Sequence, residues 1–331
     1  MAFDWNGLYN PIYGWKCSVR DPAAIYHNGL FHLYFTVQFE QQRWGMPEGY
    51  QIFMMTTPDF RTFSYPKPVT PRGYVSPGNI VYHNGKWLMS ITRYPWPTAV
   101  SMVESEDLLN WSEPRIVIPT FHGPYWGNDA HGPIDGYIFK WKERLWMLYS
   151  DYAKGSRAQH LGLACSSDGV DFENITTDAP LLDSDFYNSN RGIENASIVA
   201  DGDRLFLFCS VGMPEQHIAV LESDDIMKWP VLDSSAEIGG LQQEWSKYVA
   251  CAQFVADWRK ELGHWAMLYM GTRFKDPYAR MMFGMAISDD LKNWTPLPEG
   301  ITEEEYQERI QAFRDRYLSG ELTDGKFTKP E

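Results

Sequence analysis

Short stretches of alternating apolar and polar residues recur along this chain, and tight turns join them in pairs. In the stretch from Ala23 to Thr36, strand-forming residues flank a turn at 27–29 whose sequence is His-Asn-Gly. Alternation with a period of two around an Asn-Gly turn is typical of a β-hairpin. The same pattern predicts further hairpins at 80–88, 137–150, 197–210 and 252–270. We therefore predict a chain built mainly of antiparallel β-sheet.

A short motif repeats five times between these hairpins: Ser or Thr, any residue, Asp, three residues, and then Trp or Phe. Its copies are Thr57, Asp59 and Phe63; Ser105, Asp107 and Trp111; Ser166, Asp168 and Phe172; Ser223, Asp225 and Trp229; and Ser288, Asp290 and Trp294. Copies roughly 50 to 65 residues apart, each following two or three strands, indicate the blades of a propeller. We predict one all-β, five-bladed β-propeller over residues 1–300. A repeated Asp that holds a turn and an aromatic side chain that packs between blades would serve the fold.

The end of the chain follows a different pattern. Residues 302–305, Thr-Glu-Glu-Glu, form a capping box. The apolar residues that follow at helical spacing are Tyr306, Ile310, Phe313 and Tyr317. They predict an amphipathic helix at about 302–318, packed on the side of the propeller within a C-terminal region of helix and tail at 301–331.

Composition restricts the class of partner. The chain of 331 residues has a formal net charge of -14, which argues against binding to nucleic acid or to an acidic membrane, because both need a basic surface. The N-terminus lacks the basic and apolar regions of a signal peptide, and no stretch is long enough to span a bilayer. We expect a soluble protein, cytoplasmic or exported with its signal removed. The four cysteines show no metal-ligand spacing and predict no disulfide framework.

Candidate functional residues are expected where one repeat differs from the others. We aligned the first four hairpins on their turns and counted eight residues back from Gly29, Gly85, Glu143 and Gly202. The positions reached are Asp21, Pro77, Asp135 and Glu194. This position begins the innermost strand of each blade, beside the axis of the propeller. Three acids are therefore predicted to converge in one funnel.

A convergent group of carboxyls is not required for folding, because like charges brought close together disfavour ionisation. Taken singly, each acid has a structural explanation: Asp21 precedes a proline, Asp135 precedes a glycine, and Glu194 has arginines nearby. Their shared register is not explained in that way and favours a functional role. Glycoside hydrolysis uses such carboxyls, one to protonate the leaving oxygen and one to activate water or attack the sugar.

The residues around the three acids resemble a known pattern. Arg20-Asp21-Pro22, Ile134-Asp135-Gly136 and Ile193-Glu194-Asn195 resemble the acidic triad of the five-bladed propeller hydrolases, with glycoside hydrolase family 43 and its relatives the nearest match. The resemblance covers roughly residues 18–297. It implies that Asp21 is the general base, Asp135 adjusts the pKa of the acid and orients it, and Glu194 is the general acid, with inversion at the sugar.

The chain also departs from that pattern. Many members of the family have a histidine in blade five that helps to hold a metal ion, whereas residues 248–253 are Tyr-Val-Ala-Cys-Ala-Gln. We therefore expect no calcium ion and no other cofactor. The motifs around Asp21 and Glu194 differ from those of the fructan-cleaving relatives. His131 lies four residues before Asp135 and leaves a histidine acid open.

Several other residues are expected to line the mouth of the funnel and bind substrate. They are Arg20, Arg93, His131, Arg191, Arg273, Trp126 and Gln38. Guanidinium groups grip carboxylate or phosphate, so the arginines suggest an acidic sugar, although balancing the acid cluster explains them equally well. Aromatic residues that could stack on a sugar ring are Trp44, Tyr94, Trp96, Tyr125 and Tyr152.

Three functions follow from this pattern. The first is hydrolysis of a glycosidic bond in a poly- or oligosaccharide. The second is a glycoside phosphorylase on the same fold, in which arginines hold phosphate in place of water. The third is a propeller that binds carbohydrate without turnover. The oligomeric state does not follow from the pattern.

Overall fold

The computed structural model describes residues 2–14, 17–39, 49–94, 97–127, 131–156, 158–190, 192–274 and 280–300, with backbone alone at 188–190. It also gives the backbone of a short strand pair, β21 (Leu322–Thr323) and β22 (Lys326–Phe327). The predicted C-terminal helix at 302–318 lies outside the described residues.

The described chain is an all-β propeller of five blades, as predicted. Blade 1 contains β1 (Ser18–His27), β2 (Leu30–Gln38), β3 (Tyr50–Thr57) and β4 (Lys67–Pro68). Blade 2 contains β5 (Tyr74–Val75), β6 (Ile80–His83), β7 (Lys86–Arg93), β8 (Ala99–Ser105) and β9 (Arg115–Ile118). Blade 3 contains β10 (Ile134–Trp141), β11 (Arg144–Tyr152), β12 (Gln159–Ser166) and β13 (Glu173–Asn174).

Blade 4 contains β14 (Ile193–Asp201), β15 (Arg204–Val211) and β16 (His217–Ser223), and blade 5 contains β17 (Val249–Trp258), β18 (His264–Thr272), β19 (Met282–Ser288) and β20 (Thr295–Pro296). Short 3₁₀ helices span Asp185–Asn190, Ser234–Ala236 and Glu244–Ser246. All strand pairs are antiparallel, as expected for consecutive hairpins. No helix among the described residues is long and apolar enough to cross a membrane.

The innermost strands surround a common axis. Strand β1 packs against β17 on one side and β6 on the other, and β10 packs against both β6 and β14. The ring is completed by the packing of β14 against β17. Apolar side chains from all five blades join in one large buried cluster, which explains why a single blade would not be stable alone.

The repeated Ser/Thr-x-Asp motif has the structural role that the sequence predicts. In blade 2, the Ser105 hydroxyl accepts hydrogen bonds from the backbone of Asp107 and Leu108 at 3.2 and 2.9 Å. The blade 5 copy makes the same bonds through Ser288. Hydrogen bonds from Asn293 and from the backbone of Lys292 lower the pKa of Asp290 to about 2. These carboxylates hold turns, and none of them belongs to the lining of the pocket described below.

Candidate active site

A pocket opens on the axis, at the end of the propeller where the innermost strands begin. Its lining includes all three predicted acids, Asp21 from blade 1, Asp135 from blade 3 and Glu194 from blade 4. A smaller cavity continues along the axis beneath the pocket and also touches Asp21 and Asp135. The predicted convergence of the three carboxyls on the axis is therefore present in the fold.

A β-bulge near the start of the innermost strand positions these side chains in blades 1, 3, 4 and 5, and the break between β5 and β6 takes its place in blade 2. At this point every blade has a residue with positive φ, which we call the bulge residue: Asp21 (52°), Ser76 (51°), Asp135 (54°), Asn195 (50°) and Ala252 (48°). An extra residue in the strand interrupts the alternation of its side chains between the two faces. Consecutive side chains therefore line the same pocket, as in the pairs Arg20 and Asp21, Ile134 and Asp135, and Glu194 and Asn195.

The structure corrects the register that was counted from the turns. Residues at the bulge of blades 2 and 4 are Ser76 and Asn195, whereas the count selected Pro77 and Glu194. Glu194 pairs with Ser210, just as Arg20 pairs with Thr36 and Ile134 with Ser150, so Glu194 lies one position before the bulge. The count in blade 4 began one residue too early. The two-residue turn of this blade is 202–203, and the equivalent of Gly29 is the second turn residue, 203, whereas the count began at Gly202. Glu194 still lines the pocket, because the residue before the bulge residue lines it as well as the bulge residue itself.

Asp135 is the most enclosed of the three acids. Its Oδ2 accepts a hydrogen bond from the backbone N–H of Asn195 at 3.2 Å, and its own N–H donates to Thr92 Oγ1 at 2.9 Å. Burial raises the pKa of Asp135 well above its usual value, and the carboxyls of Glu194 and Asp21 raise it further. A carboxyl in this environment stays protonated at a pH where a solvated one is charged.

Asp21 lies half-buried beside a cation. Burial raises its pKa, while the Arg20 guanidinium and hydrogen bonds from Thr36 and Ser76 oppose that shift. The Ser76 hydroxyl lies 3.4 Å from Asp21 Oδ2 and also hydrogen-bonds Asp135, so that it connects two of the acids. The pocket therefore supplies a positive charge beside Asp21.

Glu194 faces an amide donor. The side-chain Nε2 of Gln216 donates a hydrogen bond to Glu194 Oε2 at 3.1 Å, and the backbone carbonyl oxygen of Gln216 accepts one from the Ala250 N–H at 3.1 Å. Gln216 is itself buried, so its amide group is fixed by the protein. One oxygen of the Glu194 carboxyl therefore accepts a hydrogen bond from a protein side chain.

Aromatic side chains form part of the wall of the pocket. Tyr50 and Tyr94 meet edge to face with ring centroids 5.2 Å apart, and the rings of His131 and Tyr152 lie 4.7 Å apart. All four line the pocket. Such a wall offers apolar ring faces together with hydroxyl and imidazole groups, which suits a sugar ring.

The remaining predicted binding residues are divided between the pocket and other places. Arg20 and His131 line the pocket. Arg93 donates a hydrogen bond to the Pro97 carbonyl at 3.0 Å, and Arg273 is exposed beside Phe274; neither belongs to the lining. Gln38 is buried at the end of β2, also outside the lining.

Trp126 has a different role from the predicted one. Its side chain is fully buried, and its indole N–H donates to the Thr176 carbonyl, so it cannot stack on a ligand in the pocket. Tyr125 packs edge to face on Trp126 rather than lining the pocket. The predicted candidates Arg191, Trp44 and Trp96 lie outside the described residues.

Sequence reasoning missed several residues that the pocket brings together. They are Thr36, Tyr50, Ser76, Gln159, Asn195 and Gln216. Tyr50 is the first residue of β3, and strand beginnings at this end of the blade face the mouth, so a fuller use of the strand order would have found it. Gln216 follows a loop after β15 and lies outside the repeated motif, so no local sequence pattern indicated it.

Among the described residues of blade 5, no acid lines the pocket. Cys251 lies one position before its bulge, where blade 4 has Glu194. Burial raises the pKa of the Cys251 thiol well above its usual value, so this side chain behaves as a small apolar group. Within the described part of the chain, no three His, Cys, Asp or Glu side chains form a group that could hold a metal ion, and all four cysteines are free.

Comparisons with known proteins agree with this architecture. No family model and no curated protein matches the chain. The catalytic domain of a family 62 α-L-arabinofuranosidase from Coprinopsis cinerea matches with a TM-score of 0.64 and 15% identity, over 84% of this chain and 95% of that one. A thermostable family 43 glycoside hydrolase matches with a TM-score of 0.66 and 12% identity, over 89% and 98% of the two chains.

A third solved structure, an α-L-arabinofuranosidase from Podospora anserina in complex with cellotriose, matches with a TM-score of 0.65 and 14% identity, over 84% and 95% of the two chains. At such identities the similarity establishes the fold. The chain is a five-bladed β-propeller of the architecture found in glycoside hydrolase families 43 and 62, which confirms the fold that the resemblance implied.

Proposed function

We propose that this protein is a glycoside hydrolase that cleaves a glycosidic bond in a poly- or oligosaccharide. The observation that carries the proposal is the meeting of Asp21, Asp135 and Glu194, from three blades, in one axial pocket with an aromatic wall. Folding alone does not favour three neighbouring carboxyls, whereas acid-base cleavage of a glycoside needs at least two with different protonation states.

The surroundings of each acid support a separate role. Asp21 is the proposed general base: burial raises the pKa of its carboxyl, as suits a group that accepts a proton, and the neighbouring Arg20 guanidinium stabilises the charged form against that shift. Glu194 is the proposed general acid, which donates its proton to the leaving oxygen. Asp135 is held by the Asn195 backbone and interacts electrostatically with both other acids, which suits a residue that adjusts the protonation of Glu194 and orients it.

The proposed stereochemical outcome is inversion, which the resemblance implies. In an inverting enzyme the base activates a water molecule on the face of the sugar opposite the leaving group. Proton NMR of the first product formed, before mutarotation, distinguishes inversion from retention. Inversion predicts that the newly formed anomer is opposite to that of the substrate.

The solved structures suggest where to begin the search for a substrate. Two of the structurally similar proteins are α-L-arabinofuranosidases, and one was solved with cellotriose. The first panel should therefore hold aryl α-L-arabinofuranosides, aryl xylosides and β-linked gluco-oligosaccharides. A second panel of uronate-bearing and sulfated glycosides tests the acidic-sugar hypothesis, for which Arg20 is the guanidinium in the described pocket lining.

Amide substitutions test the assignment of roles. Asp21→Asn and Glu194→Gln should each lower kcat by at least about 10³-fold, since each removes a proton-transfer group, while the circular dichroism spectrum stays unchanged. Glu173→Gln, an exposed acid on β13, is the matched control and should retain full activity. Full activity in both pocket variants would contradict the proposal.

The same assays separate the alternatives. Turnover that depends on added phosphate and yields a sugar phosphate would indicate a phosphorylase. Sugar binding measured by calorimetry, with no turnover on any panel and no loss of affinity in Asp135→Asn, would indicate a propeller that only binds carbohydrate.

A further inference from the structure

A second acidic residue is buried in blade 3, behind the wall of the pocket. The side chain of Asp151 is 0% exposed and that of His122 is 3% exposed, and the distance from His122 Nε2 to Asp151 Oδ2 is 3.5 Å. Neither atom has a hydrogen-bond partner within the described part of the chain. Buried polar atoms without partners destabilise a fold, so each of these two needs the other.

The hydrogen bond of the other ring nitrogen of His122, Nδ1, shows that His122 and Asp151 need one further proton between them. His122 Nδ1 lies 3.0 Å from the carbonyl oxygen of Pro119. A carbonyl oxygen only accepts hydrogen bonds, so Nδ1 carries a hydrogen, and in the neutral ring Nε2 is then an acceptor. Without one further proton, two acceptors would face each other in a dry site. The proton must be on Asp151 Oδ2 or on His122 Nε2.

The pair joins the end of β11, which contributes Tyr152 to the pocket lining, to a segment that packs behind it. His122 belongs to the segment 119–127, which leads from blade 2 towards blade 3, and Asp151 is the penultimate residue of β11. The other oxygen of Asp151, Oδ1, accepts a hydrogen bond at 2.7 Å from the backbone of Tyr152, which lines the pocket. Two backbone bonds cross the same junction, from Gly127 N–H to the Tyr152 carbonyl at 3.1 Å and from Lys154 N–H to the Tyr125 carbonyl at 2.9 Å.

We propose that His122 and Asp151 form a positioning pair that shares one proton and fastens the segment 119–127 to the end of β11, and so holds Tyr152 in the wall of the pocket. Loss of the shared proton leaves a buried carboxylate facing an imidazole acceptor, and the junction loosens. The pair goes beyond the proposed hydrolase activity, and its tests need no turnover.

The ionisation of the two groups agrees with this arrangement. Burial raises the pKa of Asp151 to about 8, and burial lowers the pKa of His122 to about 4. The other titratable groups around them are Tyr149 on β11, His160 opposite Asp151 on β12, Tyr125 in the segment itself, and Asp183 and Asp185 beyond His160. Since these groups are the same in wild type and in an Asp151 variant, comparison of the two isolates the pair.

The sign of the pH effect follows from these directions. Asp151 binds its proton more tightly in the folded state, so the stability it contributes is lost as pH rises towards 8. His122 binds its proton less tightly when folded, so its contribution is lost as pH falls towards 4. Between about pH 4 and the ordinary histidine value of about 6.5 the two effects cancel, because folding only moves one proton from ring to carboxyl. Between about pH 6.5 and pH 8, only the loss of the stability that Asp151 contributes remains.

Two substitutions separate the shared proton from the shape of the side chain. Asp151→Asn keeps a donor for Nε2 but has no proton to lose, whereas Asp151→Leu has a similar shape and no polar atom. The matched control is Asp289→Asn, which alters the exposed pair His264–Asp289, whose Nδ1 and Oδ1 atoms are 2.7 Å apart. Unfolding by urea and hydrogen exchange of peptides containing Gly127 and Lys154 are measured from pH 5 to pH 9, with exchange corrected for its intrinsic rate.

Wild type and Asp289→Asn should lose stability and exchange protection at this junction between about pH 6.5 and 8.5, and Asp151→Asn should lose neither in that window. Asp151→Leu should show reduced protection at every pH. ¹⁵N NMR of the His122 ring should show a neutral ring with the hydrogen on Nδ1 near pH 7 if the proton is on Asp151, or a doubly protonated ring if it is on His122. A neutral ring with the hydrogen on Nε2, or a pH dependence of Asp151→Asn equal to that of wild type, would overturn the proposal.

Discussion

The side-chain amide of Gln216 donates to one carboxyl oxygen of Glu194, the proposed acid. The Gln216 side chain donates to Glu194 Oε2 at 3.1 Å from a buried and fixed position. A donor to a carboxyl group favours its charged form, so we expect the Gln216 bond to favour release of a proton from Glu194. Gln216 is therefore part of the proposed site even though it has no acid-base chemistry of its own.

Replacing that amide should change the pH profile. In Gln216→Leu, Glu194 would stay protonated to a higher pH, and the alkaline limb of kcat/KM should move up by about one pH unit, since a hydrogen bond to a charged group contributes about 1.5 kcal/mol or more. The control is Gln242→Leu, because Gln242 hydrogen-bonds His217 at 2.9 Å outside the pocket lining. An unchanged profile in Gln216→Leu would show that the bond does not act on the proton of Glu194.

At the scale of the element, the bulges determine how the blades join. The hydroxyl groups of Thr36, Thr92 and Ser210 each accept a hydrogen bond at 2.8 or 2.9 Å from the bulge N–H of the next blade. Blade 3 breaks this rule. There the bulge N–H of Asn195 donates to Asp135 Oδ2 at 3.2 Å, and the equivalent hydroxyl, that of Ser150, has no partner among the described residues. The carboxyl of Asp135 thus replaces a structural hydroxyl.

Because the Asp135 carboxyl replaces the Ser150 hydroxyl as acceptor, substitutions at the two equivalent serines, Ser150 and Ser210, should have unequal effects on stability. Ser210→Ala should lower the free energy of unfolding by about 1 to 3 kcal/mol, because it leaves the buried N–H of Ala252 without an acceptor. Ser150→Ala should change it by less than about 0.5 kcal/mol or raise it slightly, since no hydrogen bond is lost. Urea unfolding of both variants provides the comparison, and equal losses would argue against the proposed acceptor exchange at blade 3.

At the scale of the whole molecule, the N-terminal segment closes the ring. Asn10 is fully buried against blade 5, where its side chain donates to the Met285 carbonyl at 3.0 Å and accepts from the Met285 N–H at 2.8 Å. The segment then leads directly into β1 of blade 1, whose Ser18 hydroxyl accepts a bond from Met281 N–H at 3.0 Å. The first and last blades are thus joined through side chains as well as through strand packing.

Loss of this closure should destabilise the propeller. Asn10→Ala should lower the free energy of unfolding by at least about 2 kcal/mol, because it leaves more than one buried group of blade 5 without its partner. Asn6→Ala is the control, since Asn6 is exposed, its side chain bonds Asp4, and the bond that Arg61 donates goes to its backbone carbonyl, which the substitution keeps. Thermal unfolding of both variants tests this, and similar midpoints for the two would show that Asn10 is not needed for closure.

The sequence by itself determined the number of blades, the hairpins, the structural role of the repeated Asp, and the presence of three acids near the axis. These features follow from local rules, because strand alternation, turn composition and a fixed repeat length depend on residues close together in the chain. The acids could be found even with the register of Glu194 wrong by one residue, since a bulge directs two consecutive side chains into the pocket.

Only the tertiary structure decided which other groups share that pocket. Arg93 ends β7 and Arg273 directly follows β18, yet Arg93 bonds a backbone carbonyl, Arg273 lies over the Phe274 ring, and neither belongs to the pocket lining. Ser76, Gln216 and the pair of His122 and Asp151 entered the picture only when the blades came together. Their positions depend on bulges, loops and contacts between blades, and those depend on hydrogen bonds between residues far apart in the chain, which no local pattern records.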